Sequence, residues 1–511
     1  MSVAQEANTL VATLMAMPWG QVSASVYETG RLVTLAPWLT GHHDRIDYLL
    51  STQRPDGSWG APDGYGVVPT LSATEALLSA GVTEAAGRGL DVLRRSLPEA
   101  TDLPDMPAVD LTVPALITLI NARGAGEPLP MPPGLDSSRA ERLRQVMASS
   151  AEPPLKLLHA LEAAGLPEGA GSSVRPNAIG TVGASPAATA AWLGTGATPG
   201  SDSARSYLEA VVARYGGPVP VGLPITVFER GWVLSWLARA NIPVEVPPEM
   251  VADLQAAIGP SGTPAGPGLP ADADTTSVAL HALALHGMAQ DPQSLLTFDT
   301  GEHFCTWPGE DGFSISVNAH VLDAFGAYAA TRSDRSDAYV EVRQRVARLL
   351  ADRQRPDGCW DDRWHASPYY ATLSCVLALA QYGGSELAAT VARAREWVLA
   401  TQLPDGSWGR WEGTLEETAY AIQALLLPEV VSNRPVEERY CQAAAQGHRF
   451  IRLMRPAGEM SDHPPLWHDK DLYTPLAIVR AALLAARHLC DSAVCRSDQD
   501  VLRVLPLFHL E

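Results

Sequence analysis

The sequence predicts an all-α protein built from two α/α barrels, and three observations predict it. The first is a recurring phrase: "STQRPDGSWG" at 51–60, "DRQRPDGCW" at 352–360 and "TQLPDGSWG" at 401–409. The second is the stretches around it, such as "SVNAHVLDAFGAYAA", "SPYYATLSCVLALAQYG" and "EETAYAIQALLLP", which share a polar or aromatic start and a narrow Ala/Leu stripe. The third is the scarcity of alternating strand patterns, so very little sheet is expected.

Each phrase is a turn with a mechanism. Pro fixes φ at the second position, and Gly accepts the conformation that other residues avoid. The preceding Gln is suited to tie neighbouring repeats by hydrogen bonds, and the following Trp by its large apolar face. Trp59, Trp360 and Trp408 are therefore read as structural. Trp360 and Trp408 stand 48 residues apart, the length of a two-helix repeat. Helix pairs repeated in this way close as an inner and an outer ring, with the inner helices aiming their N-terminal residues at one cavity. The phrase at Gln53–Trp59 lies about 300 residues upstream of the next and predicts a second barrel-like unit. The stretches "GAGEPLPMPPG" (124–134) and "IGPSGTPAGPGLPA" (258–271) read as loops.

Composition narrows the function. At 511 residues, with 46% apolar and 18% charged side chains, the chain is globular and long enough for two or three domains. A net charge of −20 argues against nucleic acid as a partner. Apolar runs such as "PLAIVRAALLAA" are interrupted and too short for a membrane span. No basic segment followed by an apolar one opens the chain, so a cytoplasmic location is expected. Cys305, Cys359, Cys375, Cys441, Cys490 and Cys495 show neither C-x-x-C pairing nor zinc-finger spacing, which fits reduced, mostly buried thiols.

The second loop runs into "ADADTTSVALHAL", where Asp272 and Asp274 precede an apolar helix. Alone, this is the pattern of an N-cap. Within the repeat, the other helix starts carry Asn318, Tyr369, Tyr370, Glu416 and Glu417, so unusual groups converge on one cavity amid Trp and Tyr rings that stabilise cations. Protonating an alkene needs a carboxylic acid that rests protonated. A dry cavity and a second carboxylate both raise an Asp pKa, whereas the helix N-terminus favours the conjugate base. Asp274 as acid and Asp272 as its modulator is the expected arrangement.

These residues resemble the class II terpene cyclases, the group of ent-copalyl diphosphate synthases and squalene–hopene cyclases. The resemblance spans most of the chain. It is carried by Asp272-Ala-Asp274-Thr-Thr, the Q-x-P-D-G-x-W repeats, "SISVNAHVL" (314–322), "DRWHASPYYAT" (362–372), "EETAYAIQAL" (416–425) and "PLWHDKDLY" (465–473). Towards the N-terminus "SASVYETG" (23–30), "ASPAATAAW" (184–192) and "PVGLPITVFERGWVLSWLARANI" (220–242) add to it. Most members have Asp at the fourth position of the acidic motif, where this chain has Thr275. The D-x-D-T-T form resembles bacterial halimadienyl (tuberculosinyl) and drimenyl diphosphate synthases.

The resemblance implies two helical barrels, β and γ: residues 1–20 as the first helix of β, 21–240 as an inserted γ unit, and 241–511 as the rest of β. It implies a linear prenyl diphosphate substrate whose terminal alkene is protonated by Asp274, cyclised to a bicycle and finally deprotonated with the diphosphate retained. A C20 substrate giving a halimadienyl-, clerodienyl- or copalyl-type product is expected, with a C15 substrate giving drimenyl diphosphate as the alternative. Asn318 is expected to hydrogen-bond the acid. Lys470, with Arg230 and Arg363, is expected to meet the diphosphate. Trp364, His365, Tyr370, Trp411 and Tyr420 are expected to line the pocket. Magnesium, held by Asp110 and Glu229, is the expected cofactor.

No D-D-x-x-D with its downstream acidic partner is present ("DDRWH" at 361–365 is the nearest), and the chain is too short for a third helical domain. A separate enzyme is therefore expected to remove the diphosphate. Two other classes share the repeat: a non-catalytic helical scaffold, and a protein prenyltransferase-like subunit, whose Asp/Cys/His zinc site the cysteines here do not suggest.

Overall fold

The computed structural model describes residues 1–148, 154–164, 174–194, 200–310, 312–332, 337, 339–454 and 464–492. Cys495 lies outside them. Helices dominate; the strands among the described residues are two-residue pairs, Thr263–Pro264 with Ala271–Asp272 and Trp467–His468 with Leu472–Tyr473.

Two rings of inner helices close on themselves. In the carboxy-terminal ring, Thr226–Arg239, Ala273–Leu285, Ile315–Thr331, Pro368–Tyr382, Leu415–Val431 and Leu476–Asp491 pack in succession, and the last packs against the first. Pro248–Ala257, Val340–Asp352, Ala388–Ala400 and Glu438–Met454 each lean across two inner neighbours as an outer layer. Val3–Ala16 completes that layer on Leu476–Asp491 and Thr226–Arg239. In the amino-terminal ring, Val26–Leu35, Val67–Ser79, Val109–Ala122, Leu161–Ala164 and Pro186–Leu193 close in the same manner.

The repeat explains why the layers alternate. Gln53, Gln354 and Gln402 each donate twice. One bond goes to the turn glycine's carbonyl (Gly57, Gly358, Gly406) and one to the next outer helix (Ala85, Thr390, Ala443), all between 2.7 and 3.0 Å. The glycines take φ of 94°, 107° and 88°, which a side chain would strain. The tryptophans are buried and do more than fill space. Their indole N–H groups donate to the carbonyls of Leu49, Leu350 and Val398, which the preceding helix leaves unpaired at its C-terminal end. Their backbone N–H groups donate to Thr70, Thr372 and Thr418 of the next inner helix.

The expected boundary at residue 240 needs correcting. Thr226–Arg239 belongs to the carboxy-terminal ring, because Trp232, Leu234 and Leu237 share one core with Val278, Tyr370 and Tyr420. The Trp467–Tyr473 hairpin bridges the rings. Its tip, Asp469 to Asp471, reaches His159, Glu162, Ser25 and Tyr27 of the amino-terminal ring. Trp467 packs among the aromatic rings of the carboxy-terminal ring.

Candidate active site

Asp272 caps the Ala273–Leu285 helix: its backbone is extended, and Oδ1 accepts the Thr275 N–H at 2.6 Å. Thr276 locks the same turn, its hydroxyl donating to the Asp272 carbonyl at 2.5 Å and accepting the Thr263 N–H at 2.8 Å. Burial pushes the Asp272 carboxyl up to about 8; the Thr275 N–H pulls it down, the negative charge of Asp274 raises it, and the Thr275 hydroxyl lowers it. An Asp at position 275 would instead add a third negative charge beside this carboxyl.

Asp274 sits in the first turn of that helix, where the partial positive charge of the N-terminus favours its conjugate base. Its side chain is 15% exposed, and Oδ1 lies 2.6 Å from His320 Nδ1. The expected partner, Asn318, is committed elsewhere. Its carbonyl oxygen accepts the Phe304 N–H, and its amide donates to the carbonyls of Phe304 and Ser314, at 2.8–3.0 Å. His320 lies two residues further along the same helix, on the face that meets Asp274. The sequence quoted both residues in one motif; the phase of the helix decides between them.

Aromatic rings follow from this pair. Trp232 and Tyr370 stand edge-on to His320 at 5.5 and 6.2 Å, and the Trp232 indole N–H donates to the Tyr370 hydroxyl at 3.0 Å. Tyr370 stacks on His365 at 4.7 Å and meets Trp467 at 4.7 Å and Tyr420 at 5.5 Å. Trp236 stacks on Tyr420. The Ser367 N–H donates to His365 Nδ1, so Nε2 carries the proton and faces Glu416 Oε1 at 3.2 Å. Tyr370, His365 and Tyr420 thus lie in mutual contact, together with Trp232, Trp467 and His320, which the sequence reading did not single out.

The remaining expected residues lie elsewhere. Trp411 donates to Asp63 at 2.8 Å in the small core between the rings. Trp364 donates to Thr306, whose carbonyl accepts the Ala273 N–H, so it braces the acidic turn. Arg230 pairs with Asp253, and Arg363 with Asp105 and Glu310. Lys470 is fully buried; its ammonium meets Glu28, Glu162 and Ser185 and the His159 carbonyl. Burial pulls that ammonium down, but Glu162, Glu28 and Asp469 more than reverse it, leaving it above its ordinary value. Its charge is already matched by protein carboxylates, which corrects its reading as a diphosphate contact.

Asp110 and Glu229 are each engaged by groups of the protein itself. Asp110 is paired with Arg139 at 2.6 Å. Glu229 accepts the Gln21 N–H at 2.7 Å, and burial pushes its carboxyl up to about 7. Among the described residues, no group of three or more His, Cys, Asp or Glu is arranged to hold a metal.

Residues 310–426, which carry His320, His365, Tyr370, Glu416 and Tyr420, match the squalene-hopene cyclase C-terminal domain. An ent-copalyl diphosphate synthase of Streptomyces sp. (strain KO-3988) is 42% identical over 497 residues, covering 94% of each chain. A labda-7,13-dienyl diphosphate synthase of Streptomyces clavuligerus is 41% identical over 94% of this chain and 92% of its own. The solved ent-copalyl diphosphate synthase from Streptomyces platensis superposes with a TM-score of 0.90 at 41% identity, covering 96% of this chain and all of that one.

Proposed function

The chain belongs to the class II terpene cyclases, and from that premise we propose that it protonates a C20 linear prenyl diphosphate and closes it to a bicyclic diphosphate of the copalyl or halimadienyl kind. The observation that carries the reading is the contact of Asp274 with His320 at the edge of the ring cluster formed by Trp232, Tyr370, His365, Tyr420 and Trp467.

In this reading the Asp274 proton rests on Oδ2, and His320 Nδ1–H donates to Oδ1. The terminal alkene takes the proton with its own π electrons, leaving a tertiary cation and an Asp274 carboxylate. The helix N-terminus and the His320 N–H stabilise that carboxylate as it forms, which strengthens the acid only when it is used. The next two alkenes attack in turn, each new bond moving the positive charge along the chain. The faces of Tyr370, Trp467 and Tyr420 attract that charge, by about 0.5–2 kcal/mol per ring. Loss of a proton ends the sequence, and the C–O bond to diphosphate is untouched throughout. Names of relatives that retain "diphosphate" in the product agree with this last step.

The test is a paired incubation of the purified protein, with Mg²⁺ present, on C20 and C15 prenyl diphosphates, with products identified after phosphatase treatment. The reading expects a bicyclic C20 alcohol as the dominant product. Turnover confined to C15 substrate would overturn the chain-length assignment, and absence of any cyclic product would overturn the reading itself.

A further inference from the structure

Glu416 opens the Leu415–Val431 helix and is buried, its side chain 6% exposed. Three donors converge on a single one of its oxygens: His365 Nε2 at 3.2 Å, the Tyr420 hydroxyl at 2.8 Å and the Trp467 indole N–H at 2.8 Å, all on Oε1. Oε2 has no hydrogen-bond partner among the described residues, although the adjacent Glu417 uses both oxygens, on Arg410 and Thr414. Three of the rings that enclose the cluster are therefore fastened to one carboxylate, which keeps its second oxygen free.

Glu416 also shares its surroundings with the acid. Burial and the negative charges of Asp469, Asp274 and Glu416 together hold the Tyr473 hydroxyl well above its ordinary value, so Asp274 and Glu416 act on one point from two helices. Between them lie His320, Tyr370 and His365. A carbocation moving away from Asp274 among these rings meets Glu416 as the carboxylate on the far side. Its lone pairs are held in a dry setting, where a full negative charge attracts a cation strongly.

We propose that Glu416 takes the closing proton. The step rests on the cyclase reading above and balances within it. A C–H bond next to the cationic carbon breaks, its electron pair becomes the new alkene, and the proton bonds to Glu416 Oε2. Asp274 is then a carboxylate and Glu416 a carboxylic acid; proton exchange with water resets both, and the overall reaction is an isomerisation. His365, Tyr420 and Trp467 are positioning residues, since they fix Oε1 and leave Oε2 to react.

The test compares Glu416→Gln, Glu416→Asp and the unaltered protein on the C20 substrate, with product distribution as the readout. Glu416→Gln keeps an acceptor for the three donors but no base. It is expected to go on consuming substrate, because protonation by Asp274 and ring closure precede the step that Glu416 serves, while the single alkene gives way to a mixture of alkene isomers and water-captured, hydroxylated diphosphate. Glu416→Asp retains an acid one methylene shorter and is expected to redistribute the alkene isomers without the hydroxylated product. The inference is overturned if both variants make the original alkene unchanged. It is also overturned if a folded Glu416→Gln protein no longer consumes substrate, which would assign Glu416 to initiation or binding. Should Glu416→Gln fail to fold, Glu416→Asp decides alone: an unchanged alkene ratio overturns the proposal. The unaltered protein run alongside separates this outcome from failure of the cyclase reading, in which no bicyclic product forms at all.

Discussion

The two rings share one turn and one packing scheme, and both pair buried acids with cations (Asp323 with Arg239 in the carboxy-terminal ring), but the acids around the carboxy-terminal aromatic cluster are an exception. In the amino-terminal ring each buried acid has a cation. Glu75 is met by Arg31 and Arg123, and Glu28 and Glu162 are met by Lys470, delivered from the bridging hairpin. Around the carboxy-terminal cluster, Asp272 and Glu416 have hydrogen-bond donors, and among the described residues Asp274 is met by an imidazole. Compensated acids hold a structure together. Acids left without a fixed cation can give up or take a proton, and that is the property a protonation enzyme needs. The difference also explains how a single Lys in an acidic segment serves the fold: it neutralises buried carboxylates of the amino-terminal ring.

Lys470→Met breaks the comparison with the largest expected effect. Removing the cation strands Glu28 and Glu162 in the core, and stability should fall by about 3–5 kcal/mol in denaturant unfolding. The loss should grow as pH rises, because burial already pushes the Glu28 carboxyl up and protonation relieves the stranded charge at low pH. A change within 1 kcal/mol, taken as the scale of an exposed ion pair, would show that the cluster is not the lock between the rings.

Asp272→Asn sharpens the comparison with a smaller effect. The folded pKa of Asp272, about 8, lies above its ordinary value of 3.8, so the folded state holds this proton more tightly than the unfolded chain. Stability from this group is fully present below about pH 4 and declines as pH rises towards 8. Asn keeps the oxygen that accepts the Thr275 N–H, so the variant should stay folded and lose up to about one proton of the slope of stability against pH across that window. Urea unfolding at a series of pH values measures it. An unchanged slope would mean that the acid is not held protonated by its surroundings.

Much of this was legible in the sequence, and what was not follows a pattern. The Q-x-P-D-G-x-W turns could be read because their hydrogen bonds are local. Even so, the capping role of each Trp N–H needed the relative placement of two helices. The motif places Asp274 in the first turn of its helix. Its partner could not be read, since Asn318 and His320 differ only by helical phase. Lys470 could be noted from its motif, but the carboxylates that neutralise it, Glu28 and Glu162, are more than 300 residues away in the chain. Glu416 stood among the noted helix starts, yet the convergence of three donors on one of its oxygens depends on Trp467, which arrives from another segment. The boundary misplaced at residue 240 has the same origin, because Thr226–Arg239 looks no different from a helix of either ring until its neighbours are known.

The central claim is that Asp274 delivers a proton from water to the substrate while the diphosphate stays in place. Incubation with the C20 prenyl diphosphate in D₂O tests it most directly, with the unaltered protein and Asp274→Asn run side by side. The unaltered protein should give a cyclic product carrying a single deuterium at the carbon that was protonated, with diphosphate retained. Asp274→Asn should remain folded and form product at least about 100-fold more slowly, as expected for loss of a general acid. Product without deuterium, release of diphosphate, or normal turnover by Asp274→Asn would contradict the account.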